Sequence, residues 1–223
     1  MMLYNEDSAR AWLAERYGEA MSRLEVLVAA LAEENARQNL VSRPSLEAVW
    51  QRHILDSAQL LHVSRETVPH GAWLDLGSGA GFPGLVIAAI EPNRPVTLVD
   101  SRRLRTDWLA RAASQLGLTN VEVILSRVED LPERYWQVIS ARAFAPLDRL
   151  LDVAARFSTS ETLWLLPKGA KAQHERDALC ADWNHMFHVE QSLTDPAAGI
   201  IVGHLHRRAE KAASPTRKRG SSR

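Results

Sequence analysis

A glycine-rich segment between two apolar runs contains the residues best suited to bind a cofactor. The segment Asp75–Gly84 reads Asp-Leu-Gly-Ser-Gly-Ala-Gly-Phe-Pro-Gly, and the apolar run that follows ends at Asp100. Glycines allow a backbone to approach a ligand closely, and a carboxylate at the end of the second strand accepts hydrogen bonds from ribose hydroxyls. The pattern predicts a strand, a glycine turn and a helix that hold a cofactor containing adenosine, with Asp100 as its ribose partner.

The glycine spacing fits two cofactor classes. The stretch 79–84 matches the dinucleotide fingerprint G-x-G-x-x-G, whereas Gly77, Gly79 and Gly81 form the G-x-G-x-G of methyltransferases that use S-adenosylmethionine. A dinucleotide places its pyrophosphate on free amides at the helix N-terminus, and Pro83 removes one of these amides. S-adenosylmethionine has no phosphate, so the missing amide costs it little binding energy. The pattern favours S-adenosylmethionine, although one missing donor does not forbid a phosphate.

Two further acidic positions belong to the same predicted site. Asp75 directly precedes the glycines, where it would fix the loop or face the amino group of the cofactor. Val128 and Glu129 follow the third predicted strand, where a doubly wound sheet places the adenine. Val128 would pack on the ring and Glu129 would hydrogen-bond near it. An acid that stabilises a helix entry is an equally good interpretation of Glu129.

These residues require an α/β scaffold, and the apolar periodicity predicts one. Residues 1–35 have helical spacing, and a second helix is predicted to begin at Ser45. From Ala72, short apolar runs alternate with amphipathic stretches, which indicates a Rossmann-like, doubly wound, mostly parallel sheet. A turn-rich link joins the last two strands as a C-terminal antiparallel hairpin. The predicted strands are Trp73–Leu76, Val96–Val99, Val121–Leu125, Val138–Ser140, Thr162–Leu166, Phe187–Leu193 and Ile200–Leu205, and the later helices are Gly84–Ile90, Leu104–Leu116, Leu147–Arg156 and Lys171–Asp182.

Composition sets the organisation of the chain. With 223 residues, 46% of them hydrophobic, the protein can form one sizeable core. We expect an N-terminal helical cap (1–71), a cofactor-binding domain (72–206) and a basic, disordered tail (207–223) in one globular unit. The tail has seven Lys and Arg against one Glu, whereas the whole chain has no net charge. Such a tail is typical either of a solvated terminus or of an arm that binds nucleic acid.

Several functional classes are disfavoured. The single cysteine, Cys180, excludes an internal disulfide framework and fits a reducing cytoplasm. His and Cys residues lack metal-ligand spacing, and no apolar run approaches the roughly 20 residues of a membrane span. Acids at positions 6 and 7 are unlike a signal peptide. We therefore expect a cytoplasmic protein without a metal or a membrane partner.

Strings of residues outside the glycine loop resemble one enzyme family. In chain order they are Asn39-Leu40, Arg52-His53-Ile54-Leu55-Asp56-Ser57, the Asp75–Gly84 loop, Asp100-Ser101, Ser126-Arg-Val-Glu129, Ser140-Ala-Arg142-Ala143 and Lys168-Gly169. Together they resemble the small-subunit ribosomal RNA methyltransferase G family, also called glucose-inhibited division protein B. The resemblance covers residues 35–170 well. The string at 52–57 and the Ser-Ala-Arg-Ala string are more specific than the glycine loop, which many methyltransferases share.

The resemblance implies a class I methyltransferase domain and a reaction. S-adenosylmethionine would donate a methyl group to N7 of one guanine in bacterial 16S rRNA. Apart from the resemblance, we expect the acceptor within the small ribosomal subunit or its precursor and the enzyme as a monomer. Carried over by position, the cofactor contacts are Gly77, Phe82, Val128, Glu129 and Arg142. A methyltransferase of another RNA, a small molecule or a protein is the alternative, and a nucleotide-binding oxidoreductase or sensor is a third reading.

Polar residues near the predicted cleft are candidates for catalysis and for RNA binding. Guanine N7 has a lone pair and no proton, so its methylation needs no general base and can depend on alignment. His53, Asp56 and Arg142 are the catalytic candidates, with Asp56 placed to compensate the cationic product. An ion pair internal to this helix, with Arg52 four residues from Asp56, is an equally good interpretation of Asp56 and would tie the N-terminal helices to the sheet. Arg52, Arg105 and Lys168 are the RNA-binding candidates.

Overall fold

The computed structural model describes residues 5–63 and 70–205. Within these ranges, seven strands form one sheet, and its mixed α/β architecture confirms the predicted fold class. The strands are β1 Trp73–Leu76, β2 Val96–Asp100, β3 Val121–Leu125, β4 Val138–Ala141, β5 Leu163–Lys168, β6 Phe187–Gln191 and β7 Gly199–His204. The predicted tail, 207–223, lies outside the described residues.

The order of the strands is β3-β2-β1-β4-β5-β7-β6. Strands β1 to β5 are parallel, and β7 is antiparallel to both β5 and β6. The antiparallel hairpin at the end of the chain is therefore confirmed, with its second strand inserted between β5 and β6. From β1 the chain first builds outward through β2 and β3 and then crosses to β4 on the other side. This switch point opens a crevice beyond the carboxyl ends of β1 and β4, where doubly wound sheets bind their ligands.

Helices cover both faces of the sheet. Their bounds are α1 Glu6–Tyr17, α2 Met21–Gln38, α3 Arg43–Glu47, α4 Asp56–Ala58, α5 Gly84–Ile90, α6 Arg103–Gln115, α7 Leu147–Ala154, α8 Ala172–Asp177 and α9 Ala181–Asn184. Side chains alternate along β1: Trp73 packs with the N-terminal helices, α5 and α6, whereas Leu74 packs with α7. The N-terminal helices thus share a hydrophobic core with the sheet. None of the helices within the described ranges is long and apolar enough to cross a membrane.

Local sequence explains where three predicted helices differ from the observed ones. The helix predicted over 1–35 is divided by a 3₁₀ turn at Gly18–Ala20, because glycine is a weak helix former. The second helix begins at Arg43 instead of Ser45, because the Ser42 side chain accepts a hydrogen bond from the Ser45 amide and caps it. The helix predicted over 171–182 is two short helices, since the extended backbone of Cys180 (ψ 157°) separates them.

A π-helical segment, Trp50–Leu55, contains Arg52 and His53 of the string at 52–57 and places them beside the end of β4. The first amides of a helix have no partner inside it, and the Glu6 carboxylate accepts two of them, from Trp50 at 3.1 Å and from Gln51 at 2.8 Å. Helix α1 therefore holds this segment in place. Single π-helical turns recur at functional sites in proteins, and this one contains Arg52 and His53.

Candidate functional site

Two cavities lie beyond the carboxyl ends of the parallel strands. The first, of about 530 Å³, is bounded by the π-helical segment, the loop after β4, the end of β5 and the β6–β7 turn. The second, of about 430 Å³, is bounded by the glycine loop and the residues that follow β2 and β3. Ala143 and Phe144 line both cavities. Two ligands could therefore meet at this shared wall.

The glycine loop forms one side of the second cavity. Gly77 (φ 68°) and Gly79 (φ 55°) both line it, with backbone angles that other residues rarely adopt. A Cβ at Gly77 would lie 2.5 Å from Cδ2 of Phe144, so glycine also permits close packing there. Gly81, the third predicted glycine contact, packs against the side chain of Leu85 and is outside the cavity lining.

Asp75 fixes the loop from below. Its side chain is fully buried and accepts hydrogen bonds from the Ser140 hydroxyl at 2.8 Å and from the Gly84 amide at 3.3 Å. Burial raises the pKa of Asp75 to about 6, and the hydrogen bonds from Ser140 and Ser78 oppose the rise. Of the two roles predicted for Asp75, the geometry supports the structural one.

Asp100 stands at the end of β2 on the other side of the second cavity. One carboxylate oxygen accepts the Gly79 amide at 3.0 Å, and the other accepts the Arg102 amide at 2.9 Å. Each carboxylate oxygen can accept more than one hydrogen bond, so both can still accept from a diol. Val128 is buried and Glu129 is exposed, and both line the second cavity. The second cavity thus combines a carboxylate that can accept from ribose hydroxyls, an apolar side chain and glycines that leave room for a ligand. An adenosine-containing cofactor requires these features.

The three catalytic candidates form one cluster at the first cavity. Arg142 donates from Nη2 to His53 Nδ1 at 3.0 Å and from Nη1 to an Asp56 carboxylate oxygen at 3.4 Å. It also donates to the backbone oxygen of Arg52 at 3.2 Å. Residues about 90 positions apart in the chain thus meet at the end of β4. Asp56 pairs there with Arg142, whereas Arg52, the partner predicted within its own helix, pairs with Asp195. Arg142 faces the first cavity and is absent from the lining of the second.

The imidazole ring of His53 is uncharged and is fixed by two hydrogen bonds and a stacking contact. Arginine only donates, so Nδ1 is the acceptor, and Nε2, 3.1 Å from the Ser45 hydroxyl, carries the proton. The ring stacks on Phe82 at 4.9 Å between centroids and an angle of 11°. Burial, and then the neighbouring Arg142 charge, lower the pKa of His53 to about 3. Phe82, a predicted cofactor contact, therefore supports this cluster and does not line either cavity.

Asp56 is the acid of the cluster. Its second carboxylate oxygen accepts from the Thr194 hydroxyl at 3.1 Å and from the Gln59 amide at 2.9 Å. Burial raises the pKa of Asp56, and Arg142 opposes that rise. The contact with Thr194 links the cluster to the β6–β7 turn, so the C-terminal hairpin completes the first cavity.

The three RNA-binding candidates occupy different surroundings. Arg52 lies at the first cavity, half-exposed, and pairs with Asp195 at 3.3 Å. Lys168 is mostly buried, because its ammonium bonds to Glu175 at 2.8 Å and to the backbone oxygen of Ala145 at 2.7 Å. Arg105 lines the second cavity and donates to the backbone oxygen of Asn39 at 3.3 Å. The structure thus brings Arg52 and Lys168 to one cavity and places Arg105 at the other.

Sequence reasoning missed Phe144 and the β6–β7 turn as parts of the site. Phe144 follows the Ser-Ala-Arg-Ala string by one residue, and an aromatic side chain just beyond a strand end is the signal that could have identified it. Thr194 and Asp195 lie about 140 positions from the residues they contact. No local sequence pattern predicts such contacts, because they depend on where β7 inserts into the sheet.

Comparisons with known proteins agree with this geometry. Residues 20–198 match the family model described as rRNA small subunit methyltransferase G. A protein of Novosphingobium aromaticivorans named ribosomal RNA small subunit methyltransferase G is 68% identical, over 92% of this chain and 90% of its own length. A protein of the same name from Erythrobacter litoralis is 58% identical, over 91% of this chain and 97% of its own.

Solved structures extend the likeness to the fold. A mutant of MtNAS in complex with S-adenosylmethionine superposes with a TM-score of 0.51 and 16% sequence identity, over 90% of this chain and 84% of that chain. At this identity the likeness concerns the fold alone. It agrees with the Rossmann-like, doubly wound fold that the sequence predicts.

Proposed function

The chain belongs to the rRNA small subunit methyltransferase G family, and from this premise we propose that it transfers a methyl group from S-adenosylmethionine to N7 of one guanine in bacterial 16S rRNA. The observation that carries the proposal is the pair of cavities that share Ala143 and Phe144 at the switch point of the sheet. One cavity has the groups that an adenosine cofactor needs, and the other is open to a nucleotide.

The second cavity binds and orients the methyl donor. When bound, S-adenosylmethionine supplies a methyl group on a positively charged sulfur. Gly77 and Gly79 keep the loop free of side chains, Asp100 accepts the ribose hydroxyls, and Val128 gives the adenine an apolar surface. Glu129 remains the candidate for a polar contact to the adenine. Because no phosphate needs to be held, Pro83 at the start of α5 costs this ligand little.

The first cavity holds the acceptor nucleotide. Guanine N7 attacks through a lone pair without losing a proton, so the residues here have only to orient the base and exclude water. Arg142 is fixed by Asp56, His53 and the Arg52 backbone, and a guanidinium has five N–H donors, which leaves donors for an acceptor oxygen in the cavity. We assign Arg142 to orienting the acceptor nucleotide, with His53 and Asp56 as its positioning residues.

Methylation at N7 gives the guanine a positive charge, and the cavity presents both acidic and basic side chains to it. The acids are Asp56, Glu175 and Asp195, the bases are Arg52, Arg142, Lys168 and Lys171, and each acid pairs with one of these bases. Mixed charge of this kind suits an acceptor with anionic phosphates and a base that becomes cationic. It disfavours a purely apolar small-molecule acceptor, which is part of the alternative function.

The chain has no net charge, so its general affinity for RNA should be weak. We therefore expect the acceptor in the small ribosomal subunit or its precursor. We also propose that the enzyme acts in the cytoplasm and as a monomer. The proposed division is a helical cap, 1–71, on a methyltransferase domain, 72–206.

Transfer of a labelled methyl group tests the proposal. S-adenosylmethionine with an isotopic methyl is incubated with the protein and with small-subunit particles, naked 16S rRNA, large-subunit rRNA or ribosomal protein. We expect label in small-subunit RNA alone. Label in ribosomal protein or in large-subunit rRNA would favour the alternative methyltransferase.

A matched pair of variants links the activity to the second cavity. Asp100→Asn replaces one accepting oxygen with an NH2 group, which can accept neither the ribose hydroxyl nor the backbone amide on its side, and should lower the affinity for S-adenosylmethionine about tenfold. Asp107→Asn makes the same chemical change on an exposed position of α6 and should have no effect. Equal affinities in the two variants would remove Asp100 from the cofactor site.

A further inference from the structure

We propose that Phe144 is the aromatic surface on which the acceptor base stacks, an inference that rests on the proposed function. Its side chain lines both cavities and is only partly buried. It packs against the hydrophobic core on one side and against Gly77 of the cofactor loop on another. Phe144 thus stands where the methyl donor and the acceptor must meet.

The backbone around Phe144 is held in a costly conformation. Ala143 has φ 53°, a left-handed value that residues with a Cβ rarely adopt. Such outliers concentrate at functional sites, where the surrounding structure maintains them. The turn at Ala143 directs the chain away from β4 and brings Phe144 back over the glycine loop.

Ion pairs on both sides of Phe144 maintain that turn. On the N-terminal side, Arg142 is bonded to His53 and Asp56. On the C-terminal side, Lys168 donates to the backbone oxygen of Ala145 at 2.7 Å, and its partner Glu175 accepts the Leu147 amide at 3.0 Å. A loop that only connected β4 to α7 would not require anchors of this kind on either side of one aromatic residue.

The geometry of the reaction explains why a face-on contact is useful. The N7 lone pair lies in the plane of the purine, so an aromatic ring on the face of the base fixes that plane and leaves N7 open to the methyl group. RNA-binding proteins stack unpaired bases on aromatic side chains in the same way. Arg142 restricts the edge of the nucleotide, and Phe144 restricts its face.

Guanosine monophosphate is the probe for this contact, in protein saturated with S-adenosylhomocysteine. We compare the wild type with Phe144→Leu, which keeps an apolar side chain but removes the aromatic face, and with Phe144→Trp, which keeps an aromatic face. Leucine should weaken guanosine monophosphate binding about tenfold, equal to about 1.4 kcal/mol, whereas tryptophan should stay within about threefold of the wild type. Tyr135→Leu is the control, because Tyr135 is exposed and precedes β4 at the opposite end of the sheet.

Affinity for S-adenosylhomocysteine distinguishes this role from a cofactor gate. If Phe144→Leu changes the affinity for S-adenosylhomocysteine and not that for guanosine monophosphate, the ring belongs to the cofactor cavity and the inference is wrong. It is also wrong if the wild type does not bind the nucleotide, or if leucine and phenylalanine bind it equally. If Phe144→Leu fails to fold, weak binding by Phe144→Trp overturns the inference instead. Methyl transfer to protein alone would refute the proposed function while leaving the nucleotide comparison to decide the role of Phe144.

Discussion

Two glycines with similar left-handed backbone angles allow the effect of a substitution on cofactor binding to be separated from its effect on stability. Gly79 (φ 55°) lines the second cavity, and the protein atom nearest to a Cβ built there is the Gly77 oxygen, 3.6 Å away. Gly117 (φ 66°) follows α6, and a Cβ there would meet nothing within 4 Å. Alanine at either position therefore costs only the left-handed backbone penalty, about 1–2 kcal/mol. Only at Gly79 does the new methyl group enter the space assigned to the cofactor.

We expect the free energy by which S-adenosylmethionine stabilises the folded protein to halve in Gly79→Ala and to stay unchanged in Gly117→Ala. At a concentration of S-adenosylmethionine 100 times the wild-type Kd, mass action stabilises the folded protein by about 2.7 kcal/mol. If the methyl group weakens binding tenfold, the same concentration is only about ten times the variant's Kd, and the stabilisation falls to about 1.4 kcal/mol. Gly117→Ala should keep the full value.

Thermal unfolding with and without S-adenosylmethionine measures this difference. Without ligand, the two variants should unfold at similar temperatures below that of the wild type, because their backbone penalties match. With ligand, the upward shift should halve in Gly79→Ala and match the wild type in Gly117→Ala. Equal shifts in both variants would refute the assignment of the glycine loop to the cofactor.

Three further predictions concern the polar groups. His53→Asn keeps an acceptor near the Nδ1 position and should retain most of the methyl-transfer kcat/KM. His53→Leu should lower kcat/KM about tenfold or more, because a hydrogen bond to the charged Arg142 is worth about 1.5–3 kcal/mol. Equal losses in both variants would show that His53 serves packing alone. Burial raises the pKa of Asp75 from 3.8 to about 6, so its contribution to stability is greatest at low pH and falls by about 3 kcal/mol as pH rises from about 4 to above 6. Urea unfolding should show this fall in the wild type relative to Asp75→Asn, and parallel pH curves would contradict it. Arg52→Gln should lower the slope of log affinity for small-subunit particles against log salt by about one, whereas Arg111→Gln on α6 should not, and an unchanged slope for both would exclude a phosphate contact at Arg52.

The local parts of the site could be predicted from sequence because short-range chemistry determines them. Gly77, Gly79, Asp100 and Val128 lie at the ends of neighbouring parallel strands, and the periodicity of the apolar runs was enough to place those ends. The strand Trp73–Leu76 has the predicted bounds for the same reason. Alternating burial and tight glycine turns leave little freedom in such a unit.

The contacts between distant segments could not be predicted in the same way. The proximity of Asp56 to Thr194 depends on the insertion of β7 between β5 and β6, which no local pattern encodes. The sequence predicts Lys168 as an RNA contact, and in the structure its ammonium is paired with Glu175. A lysine at a strand end has the same sequence pattern whether it faces solvent or an acid brought in by the next helix. Long-range packing, and not propensity, decides between these two environments.

The site of methylation on the base tests the central claim most directly. Methylation at N7 makes a guanosine susceptible to reduction of its ring and subsequent cleavage of the RNA chain by aniline, whereas methyl groups on other base atoms do not have this effect. Small-subunit particles that lack the modification are treated with the protein and S-adenosylmethionine, and their 16S rRNA is then reduced and exposed to aniline. We predict one new cleavage, at a guanosine, that depends on both the protein and the methyl donor. Incorporation of methyl into 16S rRNA without any such cleavage would contradict the account.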